Sequence, residues 1–233
     1  MPHVQNPSIG AGAAALLVST VVLTRAQILA LSATPVDVVP APGPGKLINV
    51  LGYAVVLLFG SVQYQCSSDI LFAFYDNATQ NQVQSNTISG VVTGAADANG
   101  YISGAVTGNA PNAPANTNAA IAFQANATYN VGPISTTTLG AGGLGYAAND
   151  TGTITTGNGD ATYTVLTVGA GGAVLTYSIT APGTLYATGA GQATATGGAQ
   201  PGIGVGFTVN VTAVATGNGT LKIVTYYQII PVP

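Results

Sequence analysis

Charge is the scarcest property of this chain. Only 4% of its 233 residues are charged, against about 25% in an ordinary globular domain. The chain has six acidic residues, all Asp, and the basic residues are Arg25, Lys46 and Lys222. Three basic side chains cannot neutralise a run of phosphates, so nucleic-acid binding is disfavoured. So little surface charge favours association and hints at a component of an assembly, although a free protein with a polar, uncharged surface fits the composition equally well.

Residues that perform catalysis or bind metals are also few. The chain has no Trp, one His and one Cys. A single thiol excludes an internal disulfide. Because the one histidine is His3 in the N-terminal tail, Cys66 is expected to be a buried structural thiol and not a nucleophile. One Cys and one His also exclude a zinc site, and the sequence predicts no enzyme and no cofactor.

Aspartates are the remaining candidates for acid-base or calcium chemistry. Most of them lie in predicted turns, where Asp is a favoured residue. Asn149-Asp150 and Asn158-Gly159-Asp160 offer oxygen ligands of the kind that Ca²⁺ prefers, but neither belongs to a patterned Asp loop. Turn roles are therefore preferred, and the sequence assigns no catalytic residue and no metal ligand.

The stretch 9–23 is apolar and has two interpretations. No Lys or Arg precedes it, which disfavours a signal peptide, and it is shorter than the roughly 20 residues of a membrane helix. We interpret residues 1–19 as an extended, Gly/Ala-rich arm that leads into a first strand. A signal peptide is the alternative, and no membrane partner is expected.

The abundant residues are those of short strands and tight turns. Thr, Val, Ile and Tyr favour strands, whereas Gly, Asn and Pro favour turns. Segment 47–59 is apolar without alternation, which predicts a strand covered on both faces or packed against another subunit. The similar segments 88–94 and 102–108 predict a hairpin, and 111–118 reads as a linker.

From about residue 140 the sequence becomes rich in Gly and Thr. Three strands are predicted, separated by hairpin turns at 157–160 and 169–172. Segment 206–214 alternates, with Phe207, Val209, Val211 and Ala213 on one face. The final strand, 220–230, places Tyr226 and Tyr227 on opposite faces, with one expected in the core.

The two ends of the chain resemble a known class of protein. Residues 26–31 (AQILAL) and 34–43 (TPVDVVPAPG), followed by the apolar strand, resemble the start of small jelly-roll-like proteins from tailed bacteriophages. Residues 217–227 (GNGTLKIVTYY) resemble their last strand, and parts of 169–214 resemble the Gly-rich β repeats of phage structural proteins. Relatives of this kind are capsid cement or decoration proteins, often trimeric.

The resemblance implies an all-β, jelly-roll-like β-sandwich formed by residues 20–132 and 216–233, with a Gly/Thr-rich β insertion at 133–215. It implies a virion protein on the capsid surface that stabilises the shell without catalysis. Its partners would be the major capsid protein and its own copies in a homotrimer. The insertion would be an outward knob or a brace between subunits.

Interface candidates come from the arm, the apolar strand and the last strand, because Tyr and apolar side chains are enriched at interfaces. They are Leu16, Leu17, Leu47, Val55, Leu57, Phe59, Tyr226 and Tyr227.

Two other functions fit the sequence. One is a phage tail, fibre or baseplate component, since similar β repeats occur there. The other is a secreted carbohydrate-binding β module, which would need a signal peptide and an exposed aromatic platform. The absence of Trp counts against the second.

Overall fold

A computed structural model describes residues 14–75, 81–82, 88–103, 118–196 and 204–231. Within these ranges the chain forms fifteen strands and one α-helix, which confirms the all-β class. Residues 1–13 of the predicted arm and 111–117 of the predicted linker lie outside the described residues. The first strand begins at Leu17, so the last three residues assigned to the arm belong to a sheet.

Two of the sheets pack face to face as a β-sandwich around a single hydrophobic cluster. The first sheet has the order β1-β15-β3-β7, and its strands are Leu17–Leu23, Thr220–Pro231, Lys46–Leu58 and Ala98–Ser103. The second has the order β2-β8-β4-β5, formed by Val36–Val39, Ile121–Ala125, Ile70–Tyr75 and Asn81–Gln82, and the short β6, Ile88–Ser89, pairs with β4.

The strand pairing is that of a jelly roll. Strands β1 and β15 pair, as do β2 and β8, β3 and β7, and β4 and β5, all antiparallel. The chain is therefore one long antiparallel ribbon, folded back on itself and rolled into two sheets. This confirms the jelly-roll-like sandwich expected from the two chain ends.

A short helix caps the sandwich between β1 and β2. Helix α1 spans Arg25–Ala30, and the Thr24 hydroxyl and Gln27 side chain form a reciprocal capping box. That satisfies backbone N–H groups which a helix end leaves free. Ile28 and Leu31 are completely buried and fix the helix to the sandwich core.

Strand β3 alternates, contrary to the prediction of a strand covered on both faces. The buried side chains are Ile48, Val50, Tyr53, Val55 and Leu57, and the residues between them are half-buried apart from Gly52. Gly52 and Tyr53 are both buried, so the alternation shifts by one residue there, next to a β-bulge in the pairing with β15. Each of the buried aliphatic side chains gains about 1.5–3 kcal/mol from burial. The apolar residues of the opposite face hide this period in the sequence.

The predicted hairpin between 88–94 and 102–108 is wrong. Residues 88–89 form β6 and pair with β4, and residues 102–103 of β7 pair with β3, so the described parts of the two segments lie in different sheets. Residues 104–108 lie outside the described residues. Gly100 of β7 packs closely over Ile88 and Val91, where a Cβ would overlap their methyl groups. Strands β6 and β7 therefore meet across the sandwich and do not pair with each other.

The insertion, residues 133–215, forms a third sheet with its own hydrophobic cluster. The sheet order is β12-β11-β10-β13-β14-β9. Its strands in chain order are Ile134–Leu144, Thr151–Ile154, Ala161–Val168, Val174–Ala181, Gly189–Thr196 and Val205–Val214. The hairpins predicted at 157–160 and 169–172 join β10 to β11 and β11 to β12, and both are confirmed.

The six-stranded sheet curls until its edge strands β9 and β12 meet. Ile134 N donates to Pro182 O at one end, and Tyr146 N donates to Gly172 O at the other, both at 2.9 Å. The centre is filled by Phe207, whose ring makes edge contacts with three tyrosines: Tyr146, Tyr163 and Tyr177. Aromatic edge contacts of this kind add to the burial of apolar area.

The chain enters and leaves the insertion at one place. Ala215 N donates to Pro133 O at 2.8 Å, and Gly132 packs so tightly on the Ala215 carbonyl that a Cβ would overlap it. Gly132 also pairs with Tyr186, and Leu185 N donates to Gln65 Oε1 at 2.7 Å. These contacts join the insertion to the sandwich, and we call this place the junction.

Candidate interaction surface

The outward side of the first sheet is an apolar surface, which we call the outer face. In β1, Val18, Thr20 and Val22 are exposed, while Ser19 and Val21 point inward. The neighbouring strands continue the same alternation. The outer face consists of Val18, Thr20, Val22, Ala54, Val56, Leu58, Asn99, Tyr101, Lys222, Val224 and Tyr226.

Strand register aligns these residues in rows across the sheet. Val22 lies opposite Lys222, which lies opposite Val56. In the next row Thr20, Val224, Ala54 and Tyr101 are aligned, and beyond it Val18 faces Tyr226. Side chains opposite one another in antiparallel strands lie within contact distance, so the apolar groups form a continuous patch.

Exposure of this patch is high for side chains of its kind. Tyr101 is 63% exposed, Val18 55%, Val22 53% and Leu58 47%. Scattered exposed aliphatic residues need no explanation, whereas a contiguous apolar surface marks an interaction site. Lys222 is the only charged residue of the outer face, so a partner can cover the rest without desolvating a charge.

The predicted interface residues divide into three groups. Val55 and Leu57 are 0% and 1% exposed and belong to the sandwich core, so neither is available to a partner. Their apolar character serves the packing of the two sheets and not association. Leu17, Leu47, Phe59 and Tyr227 are half-buried, and Leu47 and Tyr227 pack against that same core.

Leu16 and Tyr226 remain accessible candidates. Leu16 is 61% exposed immediately before β1. Tyr226 is half-buried on the outer face, next to Val18, while Tyr227 turns inward after a β-bulge between the two. The predicted division of these two tyrosines between the faces therefore matches the structure.

Sequence reasoning missed Val18, Val22, Leu58 and Tyr101. The alternation in 17–23 was the available signal, with apolar residues at 18 and 22 and threonine at 20. It was obscured because the inward positions of the same strand are apolar too. Tyr101 carried no local signal, since its exposure depends on the pairing of β7 with β3.

The titratable groups near the junction have structural partners. Thr93 donates to Asp69 Oδ2 through both its N–H and its hydroxyl, and Tyr129 donates to Asp69 Oδ1 at 2.7 Å. Burial raises the pKa of the Tyr129 hydroxyl, and the bond to Asp69 adds to this effect. Burial, with a contribution from Asp69, raises the pKa of the Cys66 thiol to about 11, which suppresses the nucleophilic thiolate at neutral pH.

The two aspartates considered for calcium act in turns. Asp150 is buried and accepts from Ala147 N at 2.8 Å. Asp160 accepts from the N–H and the hydroxyl of Thr184, and the bond to that N–H lowers the pKa of its carboxyl. Within the described ranges no three residues among His, Cys, Asp and Glu cluster as metal ligands would.

None of the helical segments in the described part of the chain has the length and apolar character needed to traverse a bilayer. No family model, curated protein or solved structure matches the chain.

Proposed function

We propose that this chain is a non-enzymatic structural protein of a bacterial virus particle. It binds the outside of the capsid shell through the outer face and stabilises that shell. The observation that carries the proposal is the outer face itself, on which Val18, Val22, Leu58 and Tyr101 are exposed and Lys222 is the one charged residue. A chain free in water gains nothing from such a patch unless a partner covers it.

The fold supports this role without assigning it. Jelly rolls occur in viral capsid domains and in lectins, and a fold alone does not specify function. The chain ends that resemble phage cement proteins form α1, β2 and β15, all parts of the sandwich. The resemblance and the exposed patch therefore coincide on the same structural unit.

The chemistry of the outer face suits permanent attachment. A stable interface buries about 800 Å² on each partner, and apolar area contributes about 25 cal/mol per Å². The hydrogen-bonded strands β1, β15, β3 and β7 hold the side chains of the outer face in place. No covalent or catalytic step is needed to hold the shell.

Particles isolated from the source that encodes the chain provide the test. Immunogold labelling with an antibody against the chain is expected to decorate the shell. Labelling of the tail or baseplate would favour the alternative location on the particle. Absence of the chain from purified particles, measured by mass spectrometry, would overturn the proposal.

A matched pair of variants tests the surface. Val18→Asp/Val22→Asp places two carboxylates on the outer face, whereas Leu144→Asp/Leu175→Asp places two at exposed leucines of the insertion. Added to particles that lack the protein, the first variant is expected to lose binding and the second to retain it. Equal binding by both would exclude the outer face as the attachment surface.

Light scattering of the purified protein tests the predicted homotrimer. We expect a stable mass three times the chain mass of 22.8 kDa. A monomer would contradict a preformed trimer. It would make a glycan-binding screen the next measurement, because the exposed ring of Tyr101 is the kind of platform that a carbohydrate-binding module requires.

A further inference from the structure

The end of the insertion farthest from the junction is a second apolar surface. Strands β9 and β14 pair from Ile134 opposite Val214, beside the junction, to Leu144 opposite Val205. Strand β9 has 11 residues, so that end lies about 35 Å from the junction at 3.2–3.4 Å per residue. We call it the far end.

Exposed aliphatic side chains cluster at the far end. Val205 is 66% exposed, Leu144 60% and Leu175 55%. Leu144 approaches Gly171 and Leu175 approaches Gly169, each at 3.4–3.5 Å from the position that a Cβ would take. Both leucines therefore converge on the turn between β11 and β12, and Leu166, 50% exposed, belongs to the same hairpin.

Hydrogen bonds hold the turn that carries these residues. Gly145 N donates to Gly171 O, and Tyr146 N donates to Gly172 O, both at 2.9 Å. Gly171 and Gly172 adopt positive φ angles of 70° and 73°, a conformation that favours glycine. These hydrogen bonds fix the turn that carries the apolar side chains, so the turn would lose little conformational freedom when a partner binds.

The charge distribution restricts what can bind there. Residues 133–215 contain no basic side chain and two aspartates, Asp150 and Asp160. Asp150 is buried, and Asp160 bonds to Thr184, two residues from Tyr186 at the junction. The described far end is therefore uncharged, and it offers nothing to anionic lipid headgroups or to phosphates.

We propose that the far end binds the far end of a second copy of this chain. A symmetric contact places each group against or near its twin, and an uncharged apolar surface meets its twin without repulsion. The outer face fits self-association less well, because a symmetric contact would bury Lys222 together with its twin. The inference does not depend on what the outer face binds.

The far-end contact is expected to be weak in solution. A standard interface engages about 20–30 residues on each side, and the described residues of the far end supply only a few exposed apolar side chains. Copies held by their sandwiches on a common surface would meet at a high effective concentration, which strengthens such a contact without new interactions. The insertion would then connect neighbouring copies above that surface.

Sedimentation velocity over a range of concentrations tests this. The wild-type chain is expected to show association that increases with concentration, beyond any stable oligomer. Leu144→Ser/Leu175→Ser is expected to abolish the concentration dependence, since both side chains are more than half exposed and their loss spares the core. Leu139→Ser, an exposed leucine halfway along β9 and outside both surfaces, is the matched control and is expected to behave as wild type.

A proximity measurement gives a second readout. In a Cys66→Ser background, Leu175→Cys is expected to form dimers with a short bismaleimide cross-linker, and Leu139→Cys, midway along β9, is not. Wild-type sedimentation that does not change with concentration, together with no cross-linking through position 175, would overturn the proposal. Binding of phosphatidylcholine vesicles that requires Leu144 and Leu175, without self-association, would equally overturn it in favour of a lipid surface.

Discussion

The aromatic ring of Tyr64 lies directly against Gly217, so closely that a methyl group at position 217 would overlap the ring. The Tyr64 hydroxyl donates to Gly219 O at 2.8 Å, and Arg25 Nε donates to Gly217 O at 2.9 Å. The segment that leads from the insertion back to β15 is thus held by the Tyr64 ring, which leaves no room for a side chain at position 217.

Replacing Gly217 by Ala is expected to lower the free energy of unfolding by about 1–3 kcal/mol, because the core must shift to admit a methyl group. Gly169→Ala is the control. Its added Cβ would lie 3.5 Å from Leu175, and its φ of −99° is open to alanine. We expect the control to be neutral or to stabilise by up to about 1 kcal/mol. Guanidinium unfolding measures both variants, and equal values would contradict the close packing of Gly217 on Tyr64.

Stability is expected to fall at alkaline pH because buried tyrosines resist ionisation in the folded state. Burial raises the pKa of Tyr64, Tyr177 and Tyr186, and it raises the pKa of Tyr163 to about 12. An unfolded chain loses these protons near pH 10. Their contribution to stability is therefore complete below pH 10 and is lost as the pH rises towards 12.

Guanidinium unfolding between pH 8 and pH 12, with tyrosinate absorbance recorded in parallel, checks this. Tyr163→Phe should reduce the slope of stability against pH above pH 10, after allowance for its own effect at neutral pH. The prediction would be contradicted if all tyrosines titrated near pH 10 while the chain remained folded.

Turn chemistry made the insertion hairpins predictable. The turns at 157–160 and 169–172 are dominated by glycine, with Gly157, Gly159, Gly171 and Gly172 all at positive φ. Such turns are specified by neighbouring residues alone. The alternation of β14 was equally local, and it correctly placed Phe207, Val209 and Val211 on one face, which the structure shows to be the buried one.

Contacts between distant segments were not predictable in the same way. The similarity of 88–94 and 102–108 suggested a pairing, but β7 pairs with β3 and β6 with β4. Contacts between distant segments also explain why Val55 was wrongly predicted to lie at an interface while the exposed Val18 was missed. Both lie in apolar stretches, and only the stacking of the second sheet buries the former and leaves the latter exposed.

Cys66 is expected to react slowly with alkylating reagents in the folded protein. With a pKa of about 11, its thiolate fraction at pH 8 is on the order of a hundred-fold below that of a thiol with a pKa near 8.5. The higher intrinsic nucleophilicity of a more basic thiolate recovers about ten-fold. Iodoacetamide labelling followed by mass spectrometry should therefore proceed on the order of ten-fold slower than for glutathione, and it should accelerate on unfolding. Rapid labelling of the native chain at pH 7 would indicate an activated thiol, and Cys66 would then be a candidate catalytic nucleophile.

The insertion is expected to be removable without loss of the jelly roll. Gly132 and Ala215 are in contact at the junction, so a short linker from Gly132 to Thr216 closes the chain without strain. Every member of the sandwich core lies outside 133–215. The deletion loses the bond from Leu185 to Gln65 and the pairing of Gly132 with Tyr186, at a cost of about 1–3 kcal/mol.

Circular dichroism and guanidinium unfolding of the shortened chain should show β structure and one cooperative transition. Residues 131–216 expressed alone provide the reciprocal test, and they should also fold, since their ends are adjacent and the Phe207 cluster is complete within them. Failure of the shortened chain to unfold cooperatively, with the isolated insertion folded, would mean that the sandwich depends on the insertion.

The shortened chain also separates the two proposed surfaces. It should still attach to particles through the outer face, while the concentration-dependent association assigned to the far end should disappear.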